Sequence, residues 1–231
     1  MNRYSKVAFL EKLKPALVSV DTLYKQDFIN YSGFTADTNE LYTEVIAGEL
    51  LSNIDLLDTI SRISRDKEYN VKTHNGTTDN PESNRIEERI ALGMYDKEYD
   101  HIGIVRNYQV PLKNKRSDSA GKVDLVSEKD GDLQLIELKA GTNKETLLRC
   151  ALEIETYWRI ADLEKLKKEF GCPAGSRVRK TILVPLNGVQ HEQYKDKNSN
   201  IRRLMEKLDI HCYVFDDEIK VMSPDLSSYT V

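Results

Sequence analysis

Two carboxylates and an amine stand close together in the stretch from Gly121 to Lys139, GKVDLVSEKDGDLQLIELK. The runs on either side of Asp130-Gly131 are rich in Val, Leu and Ile, and Asp-Gly is the dipeptide preferred in two-residue type I′ hairpin loops. With Asp130 and Gly131 as the loop, Lys129 faces Asp132, Val126 faces Leu135, and Asp124 faces Glu137. Directly opposed residues hold their Cβ atoms about 4.5–5.5 Å apart, where like charges destabilise the pair. At an effective dielectric near 20, two unit charges about 5 Å apart repel by roughly 3 kcal/mol. A divalent cation between Asp124 and Glu137 would remove that repulsion, because Mg²⁺ is typically bound by one or two carboxylates, with waters and substrate phosphate completing its shell. Diagonal pairs offer the plainer alternative, in which Asp124 with Lys139 and Lys122 with Glu137 make a four-charge network. Val123, Leu125, Ile136 and Leu138 line one side of this hairpin and Val126, Leu133 and Leu135 the other, so both strands are expected to be covered on both faces.

The chain that must position this hairpin has 231 residues, 39% hydrophobic and 31% charged, enough for one large domain or a domain with an accessory region. No apolar run approaches 18 residues, and MNRYSKVAFLEKLKPALV carries too many charges for the apolar region of a signal peptide, so no membrane partner and a cytoplasmic location are expected. Cys150, Cys172 and Cys212 are scattered without CxxC spacing, which points to core thiols rather than a disulfide framework or a zinc or iron–sulfur site. A net charge of −4 gives no general attraction to nucleic acid. Local basic groups are Lys113, Lys115 and Arg116, then Arg177, Arg179 and Lys180, then Arg202 and Arg203. Each reads more often as a solvated face than as a binding patch, and only their convergence in space would count.

Residues 1–80 read as a helical accessory region. One helix is expected from Ser5 to about Val20, interrupted at Pro15. A longer one is expected from Asn39 to Ser64, with Asp37 and Glu40 at capping-box spacing. RDKEYNVKTHNGTTDN is a long polar loop or small hairpin, and Asn80-Pro81 a helix start leading to a stripe of Ile86, Ile90 and Met94. Glu87 and Glu88 lie beside that stripe and read, by themselves, as good helix formers. GIVRNYQVPL reads as a strand before the hairpin. Thr142 and Glu145 then suggest a capping box for one helix reaching Phe170-Gly171, on which Arg149, Glu153 and Tyr157 project from one face at four-residue steps. A strand over Lys180 to Gly188, a charged helix over His191 to Leu208 and two short strands in HCYVFDDEIKVM complete the series. Residues 81–231 thus form a second unit of helix, three strands, helix and strand, followed by a helix and closing strands.

From Pro81 to Gly188 this order, with Asp124 in one strand and Glu137-Leu138-Lys139 in the next, resembles the PD-(D/E)XK phosphodiesterase superfamily. Gly121 with VDLV, and LQLI leading into ELK, fit the family's usual surroundings. The resemblance implies an α/β fold with a restriction-endonuclease-like αβββαβ core, a mixed central sheet flanked by helices, and an N-terminal helical region beside it. It implies a metal-dependent nuclease acting on DNA through Mg²⁺ or Mn²⁺. The metal would be held by Asp124, Glu137 and the main-chain carbonyl of Leu138, with Lys139 at the attacking water and Glu87, or Glu88 beside it, as the helix acid. Val123 stands where the family name has Pro. Glu153-Ile-Glu-Thr-Tyr157 has an acid where the RecB-like and lambda-exonuclease-like branches often carry the Gln of Gln-X-X-X-Tyr. A catalytically inactive module on the same fold, binding nucleic acid or protein, is the alternative, and a homo-oligomer is left open.

Overall fold

The structure, a computed structural model, describes residues 3–77, 85–115, 118 and 120–225. Its helices are α1 (Lys6–Leu17), α2 (Tyr42–Ser52), α3 (Ile86–Met94), α4 (Leu147–Ile160), α5 (Leu163–Glu169), α6 (Val189–Tyr194) and α7 (Asn200–Lys207). The strands are β1 (Glu98–Tyr99), β2 (Gly103–Pro111), β3 (Lys122–Lys129), β4 (Asp132–Leu138), β5 (Val178–Pro185), β6 (Ile210–Phe215) and β7 (Val221–Met222), and they form one sheet in chain order. β1 to β4 pair antiparallel, β4 to β6 parallel, and β7 antiparallel to β6. The two parallel joins need crossovers, which α4 with α5 and α6 with α7 supply. The protein is therefore α/β, with a mixed seven-stranded sheet flanked by helices.

The β3–β4 hairpin has the register that its loop dictates. Leu125 pairs with Ile136, Val126 with Leu135 and Lys129 with Asp132. Asp130 and Gly131 have φ of 52° and 83°, the two left-handed positions of a type I′ turn. Both faces are covered. Val126, Leu133 and Leu135 join a core with Leu147, Ile154, Phe9, Ile46 and Leu50, whereas Leu125, Ile136 and Leu138 pack with Ala91 and Met94 of α3, Leu183 and Phe215. Val123, expected beside Leu125, lies beyond the last ladder pair and joins the first core instead. The first of these cores thus runs without interruption between the amino-terminal helices and α4.

Several element boundaries differ from the periodic pattern, and local side-chain bonds explain them. The helix expected over Asn39 to Ser64 is α2 followed by a 3₁₀ segment, Ile54–Thr59. Asn53 ends α2 by turning its side-chain amide back to the Glu49 carbonyl at 3.0 Å. Asp37 and Glu40 make no capping box. They hold the start of α1, Asp37 accepting the Lys6 N–H at 2.8 Å and Glu40 the Lys6 ammonium at 2.9 Å. Pro15 lies inside α1, which ends at Leu17. The helix expected to run to Phe170 breaks at Ala161, where Asp162 caps α5 by accepting the Lys165 N–H at 3.1 Å. Thr146, rather than Thr142, caps α4, accepting from the Arg149 N–H at 3.2 Å. The single helix expected over His191 to Leu208 is likewise split, with Ser199 capping α7. On α3 the buried residues are Ala91 and Met94, with Ile86 and Ile90 half-buried. The helix start at Asn80-Pro81 and the basic residue Arg116 lie outside the described residues.

The polar segment over 61–77 has no helix or strand but is tied down, Glu169 accepting the N–H groups of Tyr69 at 2.5 Å and Asn70 at 3.1 Å. The cysteines are free thiols, Cys150 and Cys212 buried and Cys172 partly so. Among the described residues no helix is long and apolar enough to cross a membrane.

Candidate active site

At the open end of the hairpin the ladder pairs stop at Leu125 and Ile136, and side chains take over. Asp124 Oδ2 accepts the Leu138 N–H at 2.9 Å, and its Oδ1 accepts from the Gln109 side-chain amide at 2.9 Å. Glu137 and Lys139, two residues apart in the same run and so on one side of it, form a buried pair at 2.6 Å. Lys139 also reaches Glu145 at 2.7 Å and Glu153 at 3.9 Å, both on the approach to or along α4. Arg149 pairs with Glu145 at 2.6 Å and donates to the Tyr24 carbonyl at 2.7 Å. Tyr157 donates its hydroxyl to Glu153 at 2.7 Å. That hydroxyl sits so close to Gly121 that a Cβ there would lie 2.1 Å from it, so the glycine before β3 is required by packing.

The charges are unequal. Among the described residues the ion pairs of Glu137, Glu145 and Glu153 are made with Lys139 and Arg149, Asp124 is held by neutral donors, and Glu87 adds further negative potential at Asp124. Burial pushes the Asp124 carboxyl up to about 7, against the opposing influence of Lys139 and the Leu138 N–H, with Glu87 and Glu153 adding to the rise. Burial, then the neighbouring Asp124, hold Glu137 well above the usual carboxyl range. Burial disfavours the Lys139 ammonium, but the neighbouring carboxyls of Glu137, Glu153 and Glu145 outweigh it and raise its pKa, so this lysine is a fixed cation. The Tyr157 hydroxyl is likewise raised, by burial first and then by Glu153.

A cavity of about 380 Å³ opens at this end of the sheet, lined by Glu87, Glu88, Gln109, Asp124, Thr142 and Asn143 among others. Glu87 accepts from the Ala140 N–H at 3.2 Å and the Asn143 amide at 2.7 Å, whereas Glu88 pairs with Arg85 at 3.2 Å. Asp124 and Glu87 therefore face the cavity, and Glu137 with Lys139 lies buried behind them, 3% and 5% exposed. Among the described residues no three His, Cys, Asp or Glu side chains are grouped as a metal set, and each of Glu87, Asp124 and Glu137 is turned to a protein donor. Their chemistry nevertheless suits a hard divalent cation, being all oxygen and offering more carboxyl groups than Lys139 and Arg149 pair with, so that a cation bound there would displace protons from Asp124 and Glu137.

Gln109 and Asn143 belong to this constellation without any signal in the sequence pattern, and Glu145, which its spacing from Thr142 assigns to a cap, belongs to it as well. Glu145 was within reach of the same reading, since it begins the four-residue series that continues through Arg149, Glu153 and Tyr157. Compared with protein-family models, with curated proteins and with solved structures, the chain matches none.

Proposed function

We propose that this protein is a nuclease that hydrolyses phosphodiester bonds in DNA with Mg²⁺ or Mn²⁺, on a restriction-endonuclease-like αβββαβ core. The observation that carries the reading is the surplus of buried carboxylate at the end of β3 and β4, where Asp124 opens to a cavity beside Glu87 and Glu137 lies against Lys139 at 2.6 Å. Asp124, Glu137 and the Leu138 carbonyl would hold the cation, with Glu87 as the supplementary acid. When bound, the cation would polarise the phosphate and lower the pKa of the attacking water. Lys139, held as an ammonium by Glu137, Glu145 and Glu153, would stabilise the negative charge that develops on the phosphate rather than accept a proton. Cation binding requires Asp124 and Glu137 to ionise, and their raised pKa values make uptake favour neutral to alkaline solution.

A second reading, a catalytically inactive module that binds nucleic acid or protein, is favoured by one feature: the Glu137–Lys139 pair is already closed and buried. Magnesium-dependent cleavage of single- and double-stranded DNA by the wild type, Asp124→Ala and Lys139→Ala separates the two. Cleavage by the wild type that both variants lose supports the nuclease. Equal rates in all three, or DNA binding without turnover, overturn it.

A further inference from the structure

Gln109 is the least comfortable residue of β2. It takes φ of 46°, a left-handed conformation that residues with a Cβ enter at a cost, yet it lies inside a strand rather than in a turn. Its neighbours Tyr108 and Val110 pair with Leu125 and Val123, so Gln109 stands opposite Asp124. A glycine would adopt this backbone shape without strain. What glycine lacks is the amide, and here the amide donates to Asp124 Oδ1 at 2.9 Å. The other oxygen of Asp124 is already held by the Leu138 N–H, so the two donors together fix the plane of the carboxylate at the cavity wall that Gln109 also lines.

We infer that Gln109 is a positioning residue, whose strained backbone places a neutral amide so that Asp124 is aimed at the bound cation and the reacting phosphate. The inference rests on the nuclease reading above. Removing a partner that orients a metal-binding group typically costs about 10–100-fold in affinity or activity, which sets the scale of the effect.

The test uses two variants of the full chain, a fluorescein-labelled DNA oligonucleotide and Mg²⁺. Gln109→Gly relieves the backbone and deletes the amide, so its melting temperature should equal or exceed that of the wild type while kcat falls about tenfold or more and KM stays within about twofold. Gln109→Asn tolerates the left-handed backbone but is one methylene too short, and should lose kcat similarly, which keeps the test decisive if the glycine variant folds poorly. Wild-type kcat in a folded variant of either kind overturns the role of Gln109 and leaves the nuclease intact. A wild type that neither cleaves the oligonucleotide nor binds Mn²⁺ overturns the nuclease reading, and the role of Gln109 with it.

Discussion

Helix α4 carries two ion clusters, which differ in their balance of charge. On one side Glu155, wholly buried, pairs with Lys180 at 2.6 Å and Arg159 at 2.5 Å, and Arg159 reaches Asp58 at 2.7 Å. Two acids meet two cations there, and Lys180 also lies 4.7 Å from the centroid of the Trp158 ring. On the other side, Glu153 belongs to the group in which Asp124, Glu137 and Glu145 share Lys139 and Arg149. The balanced cluster has the composition of a structural tie between α4, β5 and the 3₁₀ segment before Ile60. The acid-rich one holds more carboxyl groups than the described cations pair with, an excess that the free protein meets by the raised pKa of Asp124 and Glu137, and it stands beside the cavity. Burial alone therefore does not mark a site, because Glu155 is as deeply buried as Glu137. The surplus does.

The largest expected effect lies on the structural side. Glu155→Ala strands Lys180 and half of the Arg159 interactions in the interior, and breaking a buried pair by removing one partner costs about 3–5 kcal/mol. Chemical denaturation should register that loss, with Mn²⁺ affinity unchanged in the protein that remains folded.

Asp124→Asn should act in the opposite sense, and only in part of the pH range. A carboxyl raised from about 3.8 unfolded to about 7 folded binds more protons in the native state between those values. Its contribution to stability is therefore greatest below pH 4, falls as pH rises through that window, and is flat above it. The drop is up to about 4 kcal/mol, reduced by solvent in the adjoining cavity. Denaturation curves at pH 4 and pH 8 should show the variant close to the wild type at the lower pH and more stable than it at the higher one.

Replacing Lys139 with methionine keeps the buried stem and removes the charge. By analogy with other electrostatic stabilisers, cleavage should fall by about 10²–10³-fold in single-turnover assays. The smallest effect belongs to the exposed Arg106–Glu128 pair, at 2.8 Å on the β2–β3 surface. Arg106→Ala should change stability by about 1 kcal/mol or less and leave turnover alone.

The part of the site that was legible in the sequence is the part set by short-range chemistry. Asp130-Gly131 fixes a turn and the turn fixes the register as far as Leu125 and Ile136, which leaves Asp124 close to Glu137, although the two are not ladder partners and Asp124 turns an oxygen to the Leu138 N–H instead. Gln109 could not be placed in this way. The β2–β3 register shifts between Val105 and Asn107, and an irregularity of that kind decides which residue meets Asp124 without leaving a mark in the alternation of GIVRNYQVPL. Helix boundaries failed for a related reason. Apolar spacing continues through Asn53 and Ala161, and a single side chain bonding to the backbone is enough to end a helix that the periodicity would extend. Glu145 was assigned to a cap because its spacing from Thr142 fits one, whereas the fold gives it Lys139 and Arg149 as partners.

The contrast between the two clusters is tested most directly by calorimetric titration of Mn²⁺ into the wild type, Asp124→Ala and Lys180→Met at pH 8. The expected result is saturable uptake by the wild type, its loss in Asp124→Ala and its retention in folded Lys180→Met, where only the balanced cluster is altered. Absence of uptake by the wild type, or uptake that survives Asp124→Ala unchanged, would contradict the assignment of the acid-rich cluster as the metal site.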